Sequence, residues 1–466
     1  MSITKSFRLR PRRSPFTPPD EPVLFLSETK RSLLKIAVPA VSGFLGMMAY
    51  QLVDIYWIAK LGTETVAGVA AATYWTWAIE AIMEMTTIGC ATLISQSLGA
   101  GKPEGARQVA REAAHLSLGL SLAIVAVFYF AMPQLLEWMG LSAKAHAQGW
   151  SYIRILILAM PLMHLALLGN HIFTAHGDTK TAFGILTVAL AVNALLDPVL
   201  IFGWWGAPAL GAAGAAWASV SGFAIGVCLR MVFLRRRNFI PPLRDFGRFT
   251  SEYFRRMFSV GTPTAASHLI ATTVYPLLAT LITSFGMAAL AGMTIAHRIE
   301  SVAYFTCLGF SIATAALVGR RAGQGDVEGA RRVAYEARTL LTAILLPVSV
   351  AFICIPETFI RIMTSDPDVV RHGASYLRTI GYFEIFLGWE FIFEGGFNGL
   401  GSTRRYMYVS IPLTLVRYPA AFIAVRYFPA VEVIWWCITL STLAKGLILA
   451  SSFRRSKAAD LGIDVA

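Results

Sequence analysis

Ionisable side chains inside long apolar stretches are the feature of this sequence best able to carry chemistry. Asp54 and Asp197 each fall in such a stretch, and Asn193 precedes Asp197 by four residues. In a helix that spacing places both side chains on one face, about 6 Å apart, and Tyr50 shares a face with Asp54 in the same way. Two carboxylates in a low-dielectric medium cannot both stay ionised cheaply. The group is therefore predicted to bind a proton, or Na⁺ with help from amide and hydroxyl oxygens.

A second set of ionisable residues lies in apolar stretches of the carboxy-terminal half. It comprises Arg298, Glu300, Glu384, Glu390, Glu394, Arg417 and Lys445. Unpaired charge in hydrocarbon is costly, so a structural network of opposite charges is the first interpretation. In it Arg417 pairs with Glu394 or Glu390, and Arg298 and Glu300 are further ion-pair candidates. The other interpretation is that these charges recognise a charged substrate.

Glu80 and Glu84 form a third acidic pair, with Trp75 and Met83 nearby. They could hold a cationic aromatic compound by charge and cation–π attraction. Alternatively, the acids face water and the tryptophans belong to an interfacial belt. The five cysteines are scattered singly, which predicts neither a disulfide nor a metal site. The sequence has no catalytic motif and no phosphate-binding loop, so an enzyme, a bound cofactor and ATP-driven transport are not expected.

The composition requires a membrane around these residues. The 466 residues are 56% hydrophobic and 14% charged, with a mean hydropathy of +0.60. The net charge of +13 is concentrated in segments that are cytoplasmic if the amino terminus is inside, among them Arg235-Arg236-Arg237 and Arg320-Arg321. This is the positive-inside pattern, so the basic residues indicate topology and attraction to anionic lipid rather than nucleic-acid binding.

The second half of the chain repeats the first at one offset. Pro39 corresponds to Pro263, an offset of 263 − 39 = 224, and Ser97–Ala113 then lies opposite Arg321–Ala337. Each repeat holds six apolar spans, and an even number returns the chain to the same face. We therefore expect an all-α membrane protein of twelve transmembrane helices, with two parallel six-helix lobes around a V-shaped central cavity.

The predicted segments follow from this repeat. They are a disordered basic cytoplasmic tail (1–32), an amino-terminal lobe (33–234), a cytoplasmic linker (235–256), a carboxy-terminal lobe (257–453) and a cytoplasmic tail (454–466). The offset places Leu278, Arg417 and Ala421 at the positions of Asp54, Asn193 and Asp197. The fold itself thus does not require carboxylates there, which argues against the alternative that the two acids merely lie at aqueous helix ends.

Several motifs resemble those of the multidrug and toxic compound extrusion (MATE) transporters. They are Val53-Asp54-Ile55, Gly99-Ala100-Gly101-Lys102, Gly177-Asp178-Thr179-Lys180 and Asn193-Ala194-Leu195-Leu196-Asp197-Pro198. The resemblance implies a cation-coupled exporter whose amino-lobe site contains Asp54, Asn193 and Asp197.

The resemblance also implies roles for further residues. Tyr50 and Asn170 line the site, Ser219 replaces a frequent threonine, and Pro39 marks where the first helix bends. One branch of the family has an acidic residue in span 7 where this chain has Ala271, which argues against that branch's carboxy-lobe sodium site.

The expected function is a proton-coupled antiporter that exports amphipathic, often cationic, organic compounds. It would act as a monomer in the plasma membrane, the inner membrane in a bacterium, with both termini cytoplasmic. Candidates for contact with the substrate are Asn170, Glu80, Glu84, Glu390 and Glu394. A sodium-coupled exporter is one alternative, and a flippase for lipid-linked saccharides is another, although a flippase would need several inward-facing arginines.

Overall fold

The computed structural model describes residues 27–242, 245 and 251–456. Most of the predicted amino-terminal tail, part of the predicted linker and residues 457–466 of the predicted carboxy-terminal tail lie outside the described residues. The assignment of the tails and linker to the cytoplasm stays a prediction.

The amino-terminal half consists of helices with one short 3₁₀ turn at Trp204–Gly206. Its helices are α1 (Glu28–Ala59), α2 (Thr63–Gly99), α3 (Pro103–Trp138), α4 (Ala143–Leu158), α5 (Met160–Ala175), α6 (Thr179–Phe202) and α7 (Ala212–Arg236).

The carboxy-terminal half repeats this order. Its helices are α8 (Phe254–Thr283), α9 (Met287–Gly323), α10 (Val327–Cys354), α11 (Pro356–Arg361), α12 (Pro367–Gly381), α13 (Glu384–Leu400), α14 (Thr403–Leu415), α15 (Arg417–Tyr427) and α16 (Glu432–Arg454). Adding 224 to the bounds of α2 gives 287–323, which are the bounds of α9.

The helices account for twelve membrane spans. Within the described part of the chain, ten helical stretches are long and apolar enough to cross a membrane, counting α14 and α15 together, and α4 with α5 makes an eleventh. The twelfth is α12 with α13, because their first residues lie 224 after those of α4 and α5 (143 + 224 = 367 and 160 + 224 = 384). The predicted all-α fold of two six-span repeats is confirmed.

A proline follows the break in two of the spans that are divided into two helices. The axes of α4 and α5 differ by 58°. Pro161 follows the break at Ala159, and its missing N–H removes one backbone hydrogen bond there. Pro419 lies three residues after Val416, where the helix breaks before α15. By contrast, α1 is a single helix through Pro39, so the bend that the family resemblance implies there stays a prediction.

Each lobe buries the beginning of the other lobe's first helix. Leu33 and Ile36 of α1 pack among buried residues of α9, α10 and α13. Met257 of α8 packs in the same way among buried residues of α2, α3 and α5. Leu33 and Met257 are equivalent by the offset (33 + 224 = 257). The contacts of the two first helices with the opposite lobe are therefore related by pseudo-twofold symmetry.

Most contacts between the lobes lie towards one end. Many of their mutual hydrogen bonds and close glycine contacts involve the second halves of α2 and α9, for example the hydrogen bond from Thr92 of α2 to the carbonyl of Asn398 in α13. At the opposite end Leu52, Tyr56 and Trp77 are exposed. The lobes thus form the expected V-shaped cavity, which opens where α1 ends.

Candidate functional site

A polar cluster in the amino-terminal lobe joins three helices around one hydroxyl. The Tyr50 hydroxyl of α1 lies 2.9 Å from Ser219 Oγ of α7. Asn193 Nδ2 of α6 donates to the same Oγ at 3.1 Å. The structure therefore brings together three residues that the sequence places 26 or more positions apart.

Asp54 and Asp197 belong to the same cluster and are both buried. Asp197 is 0% exposed and Asp54 is 9% exposed. The two carboxyl groups interact electrostatically with each other and with Tyr50. All five residues predicted for ion coupling are thus neighbours in space.

Several oxygens of this cluster have no hydrogen-bond donor among the described residues. They are Asp54 Oδ1, Asn193 Oδ1 and both carboxyl oxygens of Asp197. A buried carboxylate without donors is expensive unless a proton or a cation binds to it. The arrangement is therefore chemically suited to take up a proton or a small hard cation, for which oxygen ligands are preferred.

One further residue of the prediction is less directly connected. Asn170 lies on α5, where its backbone carbonyl accepts a hydrogen bond from Thr174 at 2.8 Å. No described hydrogen bond joins the Asn170 side chain to the cluster. Its assignment to the substrate stays a prediction.

A histidine bridges the two lobes where the cleft begins. His268 Nδ1 of α8 lies 2.6 Å from Glu84 Oε2 of α2, and His268 Nε2 lies 3.0 Å from Glu394 Oε1 of α13. Glu80 lies one turn before Glu84 on the same helix face. Two of the acids predicted for substrate contact, one from each lobe, are therefore held by one imidazole.

Sequence reasoning missed His268, because the histidines have no mutual spacing typical of a metal or catalytic site. The signal was present in another form, since an ionisable side chain in an apolar span is a candidate functional residue whatever its spacing. Among the described residues, no group of three or more His, Cys, Asp and Glu side chains could hold a metal ion.

The carboxy-terminal lobe contains a cavity of about 130 Å³, and many of the charges that the sequence analysis singled out line it. The ionisable side chains on its wall include His268, Glu300, Glu384, Glu394, Arg417 and Lys445. They come from five helices, α8, α9, α13, α15 and α16.

The pairing of charges in this lobe differs from the prediction. Glu390 pairs with Lys445 Nζ at 2.9 Å, and Glu394 is held by His268. Arg417 instead donates to two hydroxyls, Ser441 Oγ at 2.6 Å and Thr442 Oγ1 at 3.0 Å. The reason is the orientation of α16, which presents Lys445 to α13 and its hydroxyls, one turn earlier, to Arg417.

Arg298 and Glu300 are not an ion pair either. Arg298 is exposed, whereas Glu300 Oε2 accepts a hydrogen bond from the Tyr376 hydroxyl at 3.2 Å. The two residues are only two positions apart on α9, so their side chains point in different directions. Among the described residues, the predicted network therefore consists of the pair of Glu390 and Lys445, the histidine bridge, and a longer contact of 4.0 Å between Glu300 and His297.

The family model for MatE proteins matches residues 39–199 and 263–423. The two matches begin 224 residues apart (263 − 39 = 224), so the family unit coincides with the internal repeat. The chain belongs to the MATE family of transporters.

Individual MATE relatives resemble the chain over most of its length. A probable multidrug resistance protein NorM of Thermotoga maritima is 24% identical over 86% of this chain and 87% of its own length. A protein of Shewanella oneidensis named as an FAD transporter is 22% identical over 90% and 92%. An outward-facing multidrug resistance MATE transporter of known structure has a TM-score of 0.86 at 24% identity, over 94% of this chain and 97% of its own. The chain is thus a multi-pass membrane protein with the MATE fold.

Proposed function

We propose that this MATE-family protein is an antiporter that exports amphipathic, often cationic, organic compounds in exchange for protons. The observation that supports this most is the amino-lobe cluster, where four buried oxygens of Asp54, Asn193 and Asp197 have no donor among the described residues. Protonation removes most of the energetic cost of burying these oxygens, because a protonated carboxyl is neutral and can also donate a hydrogen bond.

The coupling mechanism that we propose is competition between the proton and the substrate. Protonation of Asp54 and Asp197 changes the packing of α1 around Pro39 and shrinks the cleft, which releases the substrate to the outside. Deprotonation on the inner side restores the binding state. Each ligand must prefer a different conformation for exchange to proceed.

The orientation in the membrane is part of the proposal. The closed end of the molecule carries the beginnings of α1 and α8, next to Arg320 and Arg321. If this end is cytoplasmic, as the distribution of Lys and Arg predicts, the structure represents a state open to the outside. On the same prediction both termini and the linker are cytoplasmic, and we propose separately that the protein acts as a monomer.

Sodium coupling is the alternative that the same atoms would support. Two carboxylates, one amide oxygen and the hydroxyls of Tyr50 and Ser219 are all ligands that a hard cation accepts. A diphosphate flippase receives less support, since Arg417 and Lys445 are the basic residues on the wall of the carboxy-lobe cavity and Lys445 is already paired.

Dye transport in everted vesicles separates these possibilities when pH and Na⁺ gradients are imposed one at a time. We expect transport of a cationic dye with the pH gradient alone, and a loss of about tenfold or more in Asp197→Asn and Asp54→Asn, because the amide cannot exchange a proton. Asp368→Asn is the matched control, because Asp368 is exposed and paired with Arg371 at 3.1 Å.

The outcomes are distinct. Transport with the Na⁺ gradient alone would replace the proton by sodium at the same site. Transport with neither gradient, or unchanged pH-driven transport in both amide variants, would overturn the proposal.

A further inference from the structure

A basic groove lies on the surface of the carboxy-terminal lobe, between α10 and α16. Its volume is about 800 Å³. Its lining includes Tyr335, Arg338, Leu447, Arg454 and Arg455. The groove shares no lining residue with the cavity inside this lobe, and it belongs to the other lobe from the amino-lobe cluster. It therefore has no part in the proposed exchange of substrate and proton.

The arginines of the groove stand where apolar helix surface ends. Arg338 is the last charged residue of α10 before the uncharged run 339–356, and Arg454 ends α16 after the uncharged run 446–453. Side chains in a helix tilt towards its N-terminus, so those of two antiparallel helices converge. Arginines at the end of an apolar run lie in the headgroup region of a bilayer. The groove is thus at the depth of the phosphates of one leaflet.

Two hydrogen bonds hold the walls of the groove together. The Tyr335 hydroxyl of α10 donates to the backbone carbonyl of Ala450 in α16 at 3.0 Å. The Arg331 guanidinium donates to the backbone carbonyl of Ser456, which lies just after α16. Both bonds join the first part of α10 to the last part of α16. The two helices are therefore antiparallel, and their basic ends lie side by side.

Arg338 is held by two aromatic rings. Its guanidinium carbon lies 4.9 Å from the centre of the Tyr335 ring and 4.8 Å from the centre of the Trp389 ring. Trp389 of α13 is fixed in turn, because its Nε1 donates to Thr342 Oγ1 of α10 at 2.9 Å. Ring contact uses the flat face of a guanidinium and leaves the N–H donors at its edge. Those donors form the fork that matches a phosphate group.

Three arginines of the groove have no acidic partner among the described residues. They are Arg338, Arg454 and Arg455. Both acids of α10 have other partners, since Glu328 pairs with Arg331 and Glu336 accepts a hydrogen bond from Ser27. The acid of α16 is Glu432, at the opposite end of that helix. A cluster of cations that no acid neutralises, next to the hydrocarbon, favours an anionic lipid.

The apolar continuation of the groove suits acyl chains. Leu447, Ser451 and Arg454 follow one another at spacings of four and three residues, which places them on one face of α16. Leu447 is exposed and lies on the hydrocarbon side of Arg454. A phospholipid whose phosphate contacts the arginines would have its chains against this face. A free phosphate would leave the face uncovered.

The internal repeat shows that the groove is peculiar to the carboxy-terminal lobe. Ala114 and Leu165 stand at the positions of Arg338 and Trp389 (338 − 224 = 114 and 389 − 224 = 165). The corresponding helices α3 and α5 thus lack both the arginine and the ring that holds it. The fold does not require this pair, so the pair is explained by a ligand rather than by the architecture.

We propose that this groove is a binding site for one anionic phospholipid, whose phosphate contacts Arg338 and Arg454 and whose acyl chains lie along Leu447. A zwitterionic phospholipid binds less tightly, because the cation of its headgroup is repelled by the same arginines. Lipid binding requires neither an ion gradient nor a transported substrate. The failure of this proposal would therefore leave the proposed antiport untouched.

Lipid titration of the purified full-length protein in detergent tests the site. Phosphatidylglycerol and phosphatidylcholine with identical acyl chains are added in separate titrations, and native mass spectrometry gives the apparent Kd of the first bound lipid. We expect phosphatidylglycerol to bind about tenfold or more tightly, because each arginine near the phosphate adds about a fivefold preference. Equal affinities of the two lipids would overturn the proposal.

Single variants assign the preference to the groove. Arg338→Gln and Arg454→Gln should each lower the preference for phosphatidylglycerol about fivefold. Arg338→Lys should lower it too, because lysine keeps the charge but not the planar fork. Arg404→Gln is the matched control, since Arg404 is an exposed arginine at the start of α14 in the same lobe. If Arg338→Gln does not fold, Arg454→Gln still tests the site. An equal reduction in all variants, the control included, would mean that only net charge matters and would contradict the site.

Two other occupants are distinguished by further measurements. Glycerol 1-phosphate carries the phosphate without acyl chains, and at millimolar concentration it should not displace phosphatidylglycerol. Displacement would assign the groove to a soluble phosphate ester and overturn the proposal. Asp460 and Asp464 lie outside the described residues and are the acids of the segment 457–466. Asp460→Asn combined with Asp464→Asn should leave the lipid preference unchanged, whereas a rise in it would show that this segment occupies the groove.

Discussion

Arg320 of the carboxy-terminal lobe donates a hydrogen bond of 2.6 Å from Nη2 to the backbone carbonyl of His176 in the amino-terminal lobe. The equivalent position in the first repeat is Gln96 (320 − 224 = 96), whose Nε2 donates to the carbonyl of Gly399 in the opposite lobe at 3.0 Å. The first bond joins the end of α9 to the residue that follows α5, and the second joins the end of α2 to the end of α13. We call these two bonds the end latch.

Opening the end latch should shift the protein towards the state in which this end is open. Arg320→Ala and Gln96→Ala each remove one of the two bonds, which contribute about 1.5–3 kcal/mol for the charged Arg320 donor and about 0.5–1.5 kcal/mol for the neutral Gln96 donor. Spin labels at Lys102 and Gln324, in a background without native cysteines, should report a larger population of long distances by double electron–electron resonance. Arg321→Ala is the control, because Arg321 is exposed and pairs with Asp326. A distance distribution like that of the parent protein in both latch variants would contradict this role.

Glycines let the two lobes approach at the same end. A Cβ on Gly99 would lie 2.0 Å from the carbonyl oxygen of Arg320, and a Cβ on Gly323 would lie 2.0 Å from that of Gln96. Gly99→Ala and Gly323→Ala should therefore separate α2 from α9 and lower the thermal stability.

The control for these glycines is Gly119→Ala, because a Cβ there meets no atom within 4 Å. It should leave the stability unchanged or raise it by about 0.5–1 kcal/mol, since alanine is the better helix former. Thermal unfolding followed by intrinsic fluorescence is the measurement. Equal effects of the three substitutions would show that helix propensity, not lobe contact, determines the result.

The pair of Lys445 and Glu390 should behave as the buried ion pair of the carboxy-terminal lobe. Lys445→Met leaves Glu390 as a buried charge without its partner and should destabilise the protein by about 3–5 kcal/mol, whereas the double variant with Glu390→Gln should recover much of that loss. Folded yield and melting temperature after purification check this. No recovery in the double variant would mean that the two side chains are not coupled.

The bridge through His268 should couple the lobes energetically. His268→Leu removes the partner of both Glu84 and Glu394 and should lower stability. In a protein that already carries Glu84→Gln, His268→Leu should lower the stability by about 0.5–3 kcal/mol less than it does in the parent protein. This difference is the usual coupling energy between residues in direct contact. A double-mutant cycle on the melting temperature measures it. His372→Leu is the control, since among the described residues His372 has no hydrogen bond or ion pair to either acid. Additive effects of the two substitutions would show that the bridge is energetically unimportant.

Local sequence determined much of this protein. The twelve spans, their repeat and the shared faces of Tyr50 with Asp54 and of Asn193 with Asp197 depend on spacing within single helices, which the order of residues specifies directly. The recognisable motifs of the amino-terminal lobe are local for the same reason. These features could therefore be predicted without coordinates.

Contacts between helices were decided only by the tertiary structure. Whether Glu390 meets Arg417 or Lys445 depends on the rotation of α16 about its axis, and whether His268 reaches both Glu84 and Glu394 depends on how closely the lobes approach. Neither quantity is a property of one segment, because the packing of all the neighbouring helices sets it. The end latch, the histidine bridge and the pair of Glu390 and Lys445 arise from that packing.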